Sequence, residues 1–374
     1  MNNKITGLIL AAGYSSRMGT NKALLPFGNE TVIERQIKCF IETGIHDLFI
    51  VVGYDADKVT NAVNRYPVNI IYNKNYSDGM FSSIQSGVKV IDPDVFDGVF
   101  LLPVDHPLIH SHALETIIER FGKLSVKILY PCYHNRKGHP PLFSTCLIKE
   151  ILESRGDAGL KGIFTKYQNY AEFVDMGNQE CLMDIDTEQD YLKALDYLNS
   201  HIVPDMEECE YIYRQCKVSD EIRAHSNKVA DIARILAEAL KKKGYNLDPG
   251  IVFFAGLLHD IQKGSPGHAG KAAELLMKMG YKQLAVLIQN HMDIEAFYAS
   301  KICNESVLYF SDKIVNRDRI ESIEERMTKI NHNSQFLQQA QNRLKTARLI
   351  QKKIEAALAE SVVQVLLKQG QING

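Results

Sequence analysis

The stretch Leu10-Ala11-Ala12-Gly13-Tyr14-Ser15-Ser16-Arg17-Met18-Gly19-Thr20-Asn21-Lys22 decides the fold class. It follows directly on the apolar, β-rich run Ile5–Leu10. A strand running into a small-residue turn lets the backbone approach a ligand closely, and exposed N–H groups there can cradle phosphates. Arg17 and Lys22 add fixed positive charge where a polyphosphate would lie. The spacing matches neither a Walker A loop nor G-x-G-x-x-G. A merely tight strand-to-helix turn would not call for both cations.

Outward from this turn, short β-rich runs alternate with amphipathic segments. Strands are expected at Ile5–Leu10, Leu48–Val52, Val68–Tyr72, Gly98–Leu102, Val126–Tyr130 and Glu172–Met176, and helices at Val32–Thr43, Ser82–Val90 and Ala113–Phe121. That rhythm predicts an α/β fold: a Rossmann-like, doubly wound, mostly parallel sheet with helices on both faces. Ligands in such sheets sit beyond the carboxyl ends of the strands. Thr187–Asn199 reads as a closing helix capped by Asp186 or Thr187. After the break at His201-Ile-Val-Pro-Asp the apolar spacing is helical nearly to the end, with no convincing strand. Asp248-Pro249 reads as an N-cap followed by proline at the first helical position. The expected organisation is an α/β domain over 1–200, an all-α domain over 205–330 and a helical tail over 331–374.

The 374 residues are enough for two domains. Hydrophobic residues at 45% and charged residues at 24% are ordinary globular composition. Lys plus Arg number 43 and Asp plus Glu 45, a net charge of −2 that gives no global reason to bind nucleic acid or an anionic membrane. No apolar run approaches the ~18 residues of a membrane span. The seven scattered cysteines include no C-x-x-C, which suits reduced thiols and a cytoplasmic setting.

The second half carries a different chemistry. His225, His259-Asp260, His268, His291 and Asp312 are metal-capable residues. Of these, His259-Asp260 end the buried-looking run Ala255–Leu258, where polar groups are costly without partners, His225 lies near the start of an earlier helix, and Asp312 is the polar point of Leu308–Lys313. Imidazole and carboxylate together suit Fe, Mn, Co, Ni or Zn. His106, His110, His112, His134 and His201 read as ordinary surface or loop histidines, and Leu275, Leu276, Met277 and Met279 as core.

L-A-A-G-x-S-x-R-M-G-x-x-K resembles the signature of the MobA-like nucleotidyltransferases, and is most similar to the molybdenum cofactor cytidylyltransferase branch. The resemblance implies nucleotide contacts at Leu10, Ala11, Ala12, Gly13, Gly19 and Lys22, with Arg17 and Lys22 in catalytic roles neutralising the triphosphate. Gly79-Met80-Phe81-Ser82-Ser83-Ile84 resembles the segment that closes over base and ribose, implying Gly79, Met80 and Ser82. Leu102-Pro-Val-Asp-His-Pro107 and Asp184-Ile-Asp-Thr187 resemble the metal-binding positions, implying that Asp105 and Asp186 hold Mg²⁺. Gly138–Phe143 and Gly156–Lys161 resemble the acceptor-side segments, implying His139, Pro140, Asp157 and Lys161.

The implied reaction transfers a nucleotidyl group from an NTP to a small phosphorylated acceptor and releases pyrophosphate. The acceptor phosphate attacks directly, so catalysis is positioning and charge stabilisation. The Ala-Ala-Gly form resembles CTP users, and the branch implies molybdopterin as acceptor and a molybdoenzyme or cofactor-insertion chaperone as partner. Pro103-Val104 departs from the small residue usual before the Asp. Lys161 stands where many relatives carry Arg, which weakens bidentate recognition of a phosphate. A sugar phosphate or alditol phosphate is the alternative acceptor.

Roughly Val218 to Arg319 resembles the HD-domain phosphohydrolases. Their His…His-Asp…Asp core corresponds to His225, His259-Asp260 and Asp312. His268 and His291 match the subset that holds two metals, with Asp260 as the natural bridge, and the pattern is similar to HD enzymes that hydrolyse dinucleoside polyphosphates. The resemblance implies one or two divalent transition metals, and Asp260 and Lys263 in catalytic roles, with Lys263 over a phosphate. The alternative is a nucleotide-sensing regulatory module that does not hydrolyse.

Overall fold

The computed structural model describes residues 3–122, 126–156, 158–330 and 336–371, and its contacts divide the chain into Met1–His201 and Ile202–Gly374. In the first unit the strands are β1 (Ile5–Ala11), β2 (Pro26–Phe27), β3 (Glu30–Thr31), β4 (Leu48–Val52), β5 (Asn69–Tyr72), β6 (Gly98–Pro103), β7 (Ile128–Tyr133), β8 (Arg136–Lys137), β9 (Leu142–Ser144) and β10 (Ala171–Asp175). The helices are α1 (Val32–Glu42), α2 (Ala56–Val63), α3 (Met80–Val88), α4 (Ser111–Phe121), α5 (Ile148–Glu153), α6 (Gly159–Lys166) and α7 (Glu188–Ser200). The main sheet runs β10-β7-β9-β6-β1-β4-β5. Pairing is parallel except around β9, which is antiparallel to β6 and β7, and at β8, antiparallel to β7.

Alternation along β1 splits its side chains between two cores. Ile5 and Ile9 face α1 and α4 through Ile33, Ile37, Phe40, Leu114 and Ile117. Leu8 and Leu10 face α3, α5 and α6 through Ile84, Val88, Ile151 and Ile163. β1 lies between β4 and β6, so the connections leave it in opposite directions. That switch point is where a doubly wound sheet opens a crevice. Thr187 caps α7 in a reciprocal capping box with Asp190.

The second unit is built on α8 (Met206–Gln215), α9 (Asp220–Lys242), α10 (Pro249–Leu258), α11 (His268–Lys278), α12 (Lys282–Gln289), α13 (Ala296–Ala299), α14 (Asn304–Lys313), α15 (Ile323–Thr328), α16 (Leu337–Leu358) and α17 (Val362–Lys368). Asp248 caps α10 by accepting from Gly250 and Ile251 N–H, with Pro249 at the first position. Three expectations change here. A short antiparallel hairpin, β11 (Val315–Asn316) and β12 (Arg319–Ile320), follows α14; two-residue strands carry too little periodicity to be read from sequence. The segment expected as a tail from residue 331 is no appendage: Leu344, Ala347, Ile350, Ile354, Leu358, Val362 and Leu366 are buried in the same core as α9 and α10. Met277, expected in the core, is 43% exposed.

Gly256 sets how closely α10 approaches α9. A Cβ there would lie 2.5 Å from Ala230 Cα and 2.8 Å from its nitrogen. This contact brings His259, at the end of α10, against His225 near the start of α9, with ring centroids 5.4 Å apart. Gly256→Ala is expected to destabilise the second unit by about 1–3 kcal/mol, because backbone rather than a flexible side chain must yield. A urea titration followed by circular dichroism checks this, and an unchanged midpoint would refute it.

Two candidate active sites

The first site lies at the carboxyl ends of β1, β4 and β6. A cavity of about 240 Å³ is lined by Leu10, Ala11, Ala12, Gly13, Lys22, Gly79, Met80, Ser83 and Asp105, among others. Lys22 begins a short 3-10 turn, and its N–H donates to Ser15 Oγ at 3.1 Å, tying the turn's ends together. Its Nζ donates to Asp186 Oδ1 at 2.6 Å and lies 3.7 Å from Asp105 Oδ2. One ammonium thus joins carboxylates from two distant loops. Arg17, exposed, reaches Asp186 Oδ2 at 3.2 Å.

The Lys22 hydrogen bond lowers the Asp186 pKa, whereas burial raises that of Asp105, with Lys22 opposing and Asp186 reinforcing the rise. Asp105 Oδ1 is buried without a hydrogen-bond partner. An orphaned carboxylate oxygen beside a second carboxylate fits a hard cation such as Mg²⁺.

Other expected residues fall differently. Gly19 and Ser82 are not in the cavity wall; Gly19 takes a left-handed turn at φ 67°, and Ser82 donates to backbone carbonyls at the start of α3. His106, expected as an ordinary histidine, is buried, with Nε2 3.7 Å from Asp105 Oδ1 and its ring 4.4 Å from that of His139. Burial, then Lys22, lowers its pKa to about 4. Burial, then His106, does the same to His139, also to about 4. The sequence signal was adjacency to Asp105 at a strand end. Pro140 is buried after His139, whereas Lys161 is exposed on α6. Asp157 lies outside the described residues.

The second site gathers residues from five parts of the helical unit. Asp260 Oδ2 lies 3.4 Å from His259 Nε2 and 3.7 Å from His225 Nε2; its Oδ1 lies 3.4 Å from His268 Nε2 and 3.6 Å from His291 Nε2. Asp312 Oδ1 is 3.2 Å from His225 Nε2 and 3.5 Å from His259 Nε2. In each of two groups, His225-His259-Asp260 and Asp260-His268-His291, ligand atoms lie within 4.8 Å of one another. Asp260 belongs to both.

The tautomers follow from the outer partners. His225, His259 and His291 each place Nδ1 on a backbone carbonyl, of Arg317 at 2.9 Å, Gly256 at 2.8 Å and Ile288 at 2.7 Å. A carbonyl only accepts, so Nδ1 carries the hydrogen and Nε2 faces the centre. Nε2 of His259, His268 and His291 is buried without a hydrogen-bond partner. Three orphaned imidazole nitrogens around two carboxylates fit a pair of divalent transition metals.

Burial opposes charge on His259, but Asp260 and then Asp312 outweigh it and raise its pKa to about 10. Asp260 sits far below the usual carboxylate range despite burial, chiefly through His259. Burial lowers the His291 pKa, against the pull of Asp260. Lys263 donates to Asp260 Oδ2 at 2.5 Å, from an exposed position. Buried Lys313 donates to Asp312 Oδ2 at 2.5 Å and to the His291 carbonyl at 3.3 Å.

The centre opens into a cavity of about 760 Å³, whose far wall includes Arg326, Lys329, Arg343 and Leu344. Arg343 and Leu344 went unread because α16, expected as part of a helical tail, carries no chemical motif, and Arg326 and Lys329, on α15 and at its C-cap, stand in none either.

The family of each half is settled by comparison. Residues 7–171 match the model of the MobA-like NTP transferase domain, and residues 222–360 that of the HD domain. The chain joins a MobA-like NTP transferase domain to an HD domain. The transferase half is 27% identical over 199 residues to a protein named nicotine blue oxidoreductase, from Paenarthrobacter nicotinovorans, covering 51% of this chain and 96% of that one. It is 25% identical over 188 residues to the molybdenum cofactor cytidylyltransferase of Escherichia coli, covering 50% and 93%. A solved nucleotidyl transferase from Methanothermobacter thermautotroptrophicus is 22% identical, covers 53% of this chain and all of its own, and gives a TM-score of 0.47. No helix among the described residues of this MobA-like and HD pair is long and apolar enough to cross a membrane.

Proposed function

We propose that the MobA-like domain transfers a nucleotidyl group from CTP to molybdopterin, and that the HD domain hydrolyses a phosphate ester or anhydride. The observation that carries the first half is the meeting of Asp105 and Asp186 on the Lys22 ammonium at the sheet's switch point. Lys22 and Arg17 neutralise charge that builds on the phosphates as pyrophosphate leaves. Mg²⁺ held by Asp105 and Asp186 supplies further neutralisation when bound. The Gly13-to-Lys22 turn presents backbone N–H groups to the triphosphate. His139 and Pro140 border the acceptor side, and His106 backs Asp105. Because the two relatives are named for different activities, CTP and molybdopterin rest on the likeness of the Leu10–Lys22 motif to the cytidylyltransferase branch.

For the HD domain, His225, His259, Asp260 and Asp312 would hold one metal and Asp260, His268 and His291 the other. Such a pair supplies Lewis acidity and a water of pKa about 7. Lys313 fixes one oxygen of Asp312 and leaves the other turned to the histidines. Orphaned ligand atoms support hydrolysis over a sensor that never coordinates a metal. The setting is the cytoplasm, and any molybdoenzyme or insertion chaperone would receive the product.

A panel of four NTPs against molybdopterin, sugar phosphates and alditol phosphates, read as pyrophosphate release, tests the transferase reading. The reading requires CTP with molybdopterin to turn over fastest. Turnover with a sugar or alditol phosphate alone would replace the acceptor.

A further inference from the structure

Three tyrosines from three loops cluster beside the first cavity, and two of them, Tyr14 and Tyr76, line it. Tyr14 follows Gly13 after β1, Tyr54 follows Gly53 after β4, and Tyr76 lies in the turn between β5 and α3. Ring centroids are 5.3 Å apart for Tyr14 and Tyr54 and 5.2 Å for Tyr14 and Tyr76. Tyr14 is 48% exposed and Tyr54 39%. Clustered aromatic surface left to water marks a contact site more often than isolated exposure does.

The cluster is held in place by the backbone beneath it. Tyr54 N–H donates to the Ala12 carbonyl at 3.2 Å. Tyr76 packs onto Gly53 so closely that a Cβ there would lie 2.6 Å from Tyr76 Cβ. Tyr14 rests between the other two rings. Tyr14 and Tyr76 line the same cavity as Lys22 and Asp105. That cavity therefore has charged groups for phosphate and an aromatic wall. A nucleoside triphosphate has the matching pair of ends, one polyanionic and one planar.

We propose that Tyr14, backed by Tyr54 and Tyr76, is the stacking surface for the nucleobase of the NTP. The inference rests on the nucleotidyl-transfer reading and adds to it the residues that hold the base. Every base has a π-face, so stacking on tyrosine supplies affinity with little discrimination among bases. Base choice then falls to edge contacts with the Leu10–Gly13 backbone. The phenolic hydroxyl is not required, whereas the ring is.

The test uses the full chain with Mg²⁺ and two probes, CTP and inorganic tripolyphosphate, titrated calorimetrically. Tyr14→Ala is expected to weaken CTP about tenfold or more and to leave tripolyphosphate, which has no base, within about twofold of the wild type. Tyr14→Phe is expected to restore CTP affinity. Unchanged CTP binding by Tyr14→Ala would overturn the proposal. So would equal weakening of both probes, because that is the mark of a collapsed loop. A wild-type protein that binds neither probe would overturn the nucleotide reading itself, and this proposal with it.

Discussion

Asp260→Asn is expected to remove both metals from the HD domain at once. Asp260 is the residue common to the two ligand groups, with one oxygen turned to His225 and His259 and the other to His268 and His291. The amide offers a single neutral carbonyl oxygen, and its NH₂ group repels a cation. Loss of an outer-sphere partner costs about 10- to 100-fold in metal affinity; loss of a shared ligand is expected to exceed that at both positions. His291→Gln touches one group only and is expected to leave one metal in place. Elemental analysis after dialysis against Mn²⁺ separates the two: wild-type stoichiometry near two, near one for His291→Gln and near zero for Asp260→Asn. Near-full occupancy of Asp260→Asn would refute the bridging role. Nucleotidyl transfer is expected to continue in both variants, since its residues belong to the other unit.

Lys22→Met carries the second large effect. The ammonium contacts Asp105 and Asp186 together and lines the cavity in which we propose the triphosphate binds. Its removal leaves two carboxylates without their shared cation and the triphosphate without its nearest fixed charge. Transition-state charge stabilisers are typically worth about 10²–10³ in rate. A fall in kcat/KM of roughly 10³ is therefore expected for pyrophosphate release. Lys22→Arg is expected to recover part of it, because charge returns while the fit to two carboxylates does not. Activity within fivefold of the wild type would remove Lys22 from the mechanism.

Much of this arrangement was legible before the structure, for physical reasons. The period-2 run of β1 and the small-residue turn after it announce a strand that opens onto a ligand, and Asp248-Pro249 announces α10. Metal-capable residues at the ends of apolar helices are costly alone, so His259-Asp260 and Asp312 stood out. What escaped was set by tertiary contact. β9 is three residues long, and nothing local says that it runs against its neighbours. His106 reads as a loop residue until β6 and the 139–141 segment bury it against Asp105. Tyr14, Tyr54 and Tyr76 are separated by up to 62 positions, and only the sheet makes them neighbours. Arg343 and Leu344 sit on a helix that reads as a tail, and nothing in its sequence points to the cavity it lines.

The central claim is that phosphorus chemistry is carried out at two independent centres of one chain. A ³¹P NMR time course with CTP, molybdopterin, Mg²⁺ and diamagnetic Zn²⁺, run on the wild type, Lys22→Met and Asp260→Asn, tests it directly. The wild type should show pyrophosphate with the nucleotidylated acceptor, and hydrolysis of added nucleoside phosphates or phosphate esters. Lys22→Met should silence only the first set of resonances and Asp260→Asn only the second. If either substitution silences both sets, or the wild type shows only one, the account of two centres is contradicted.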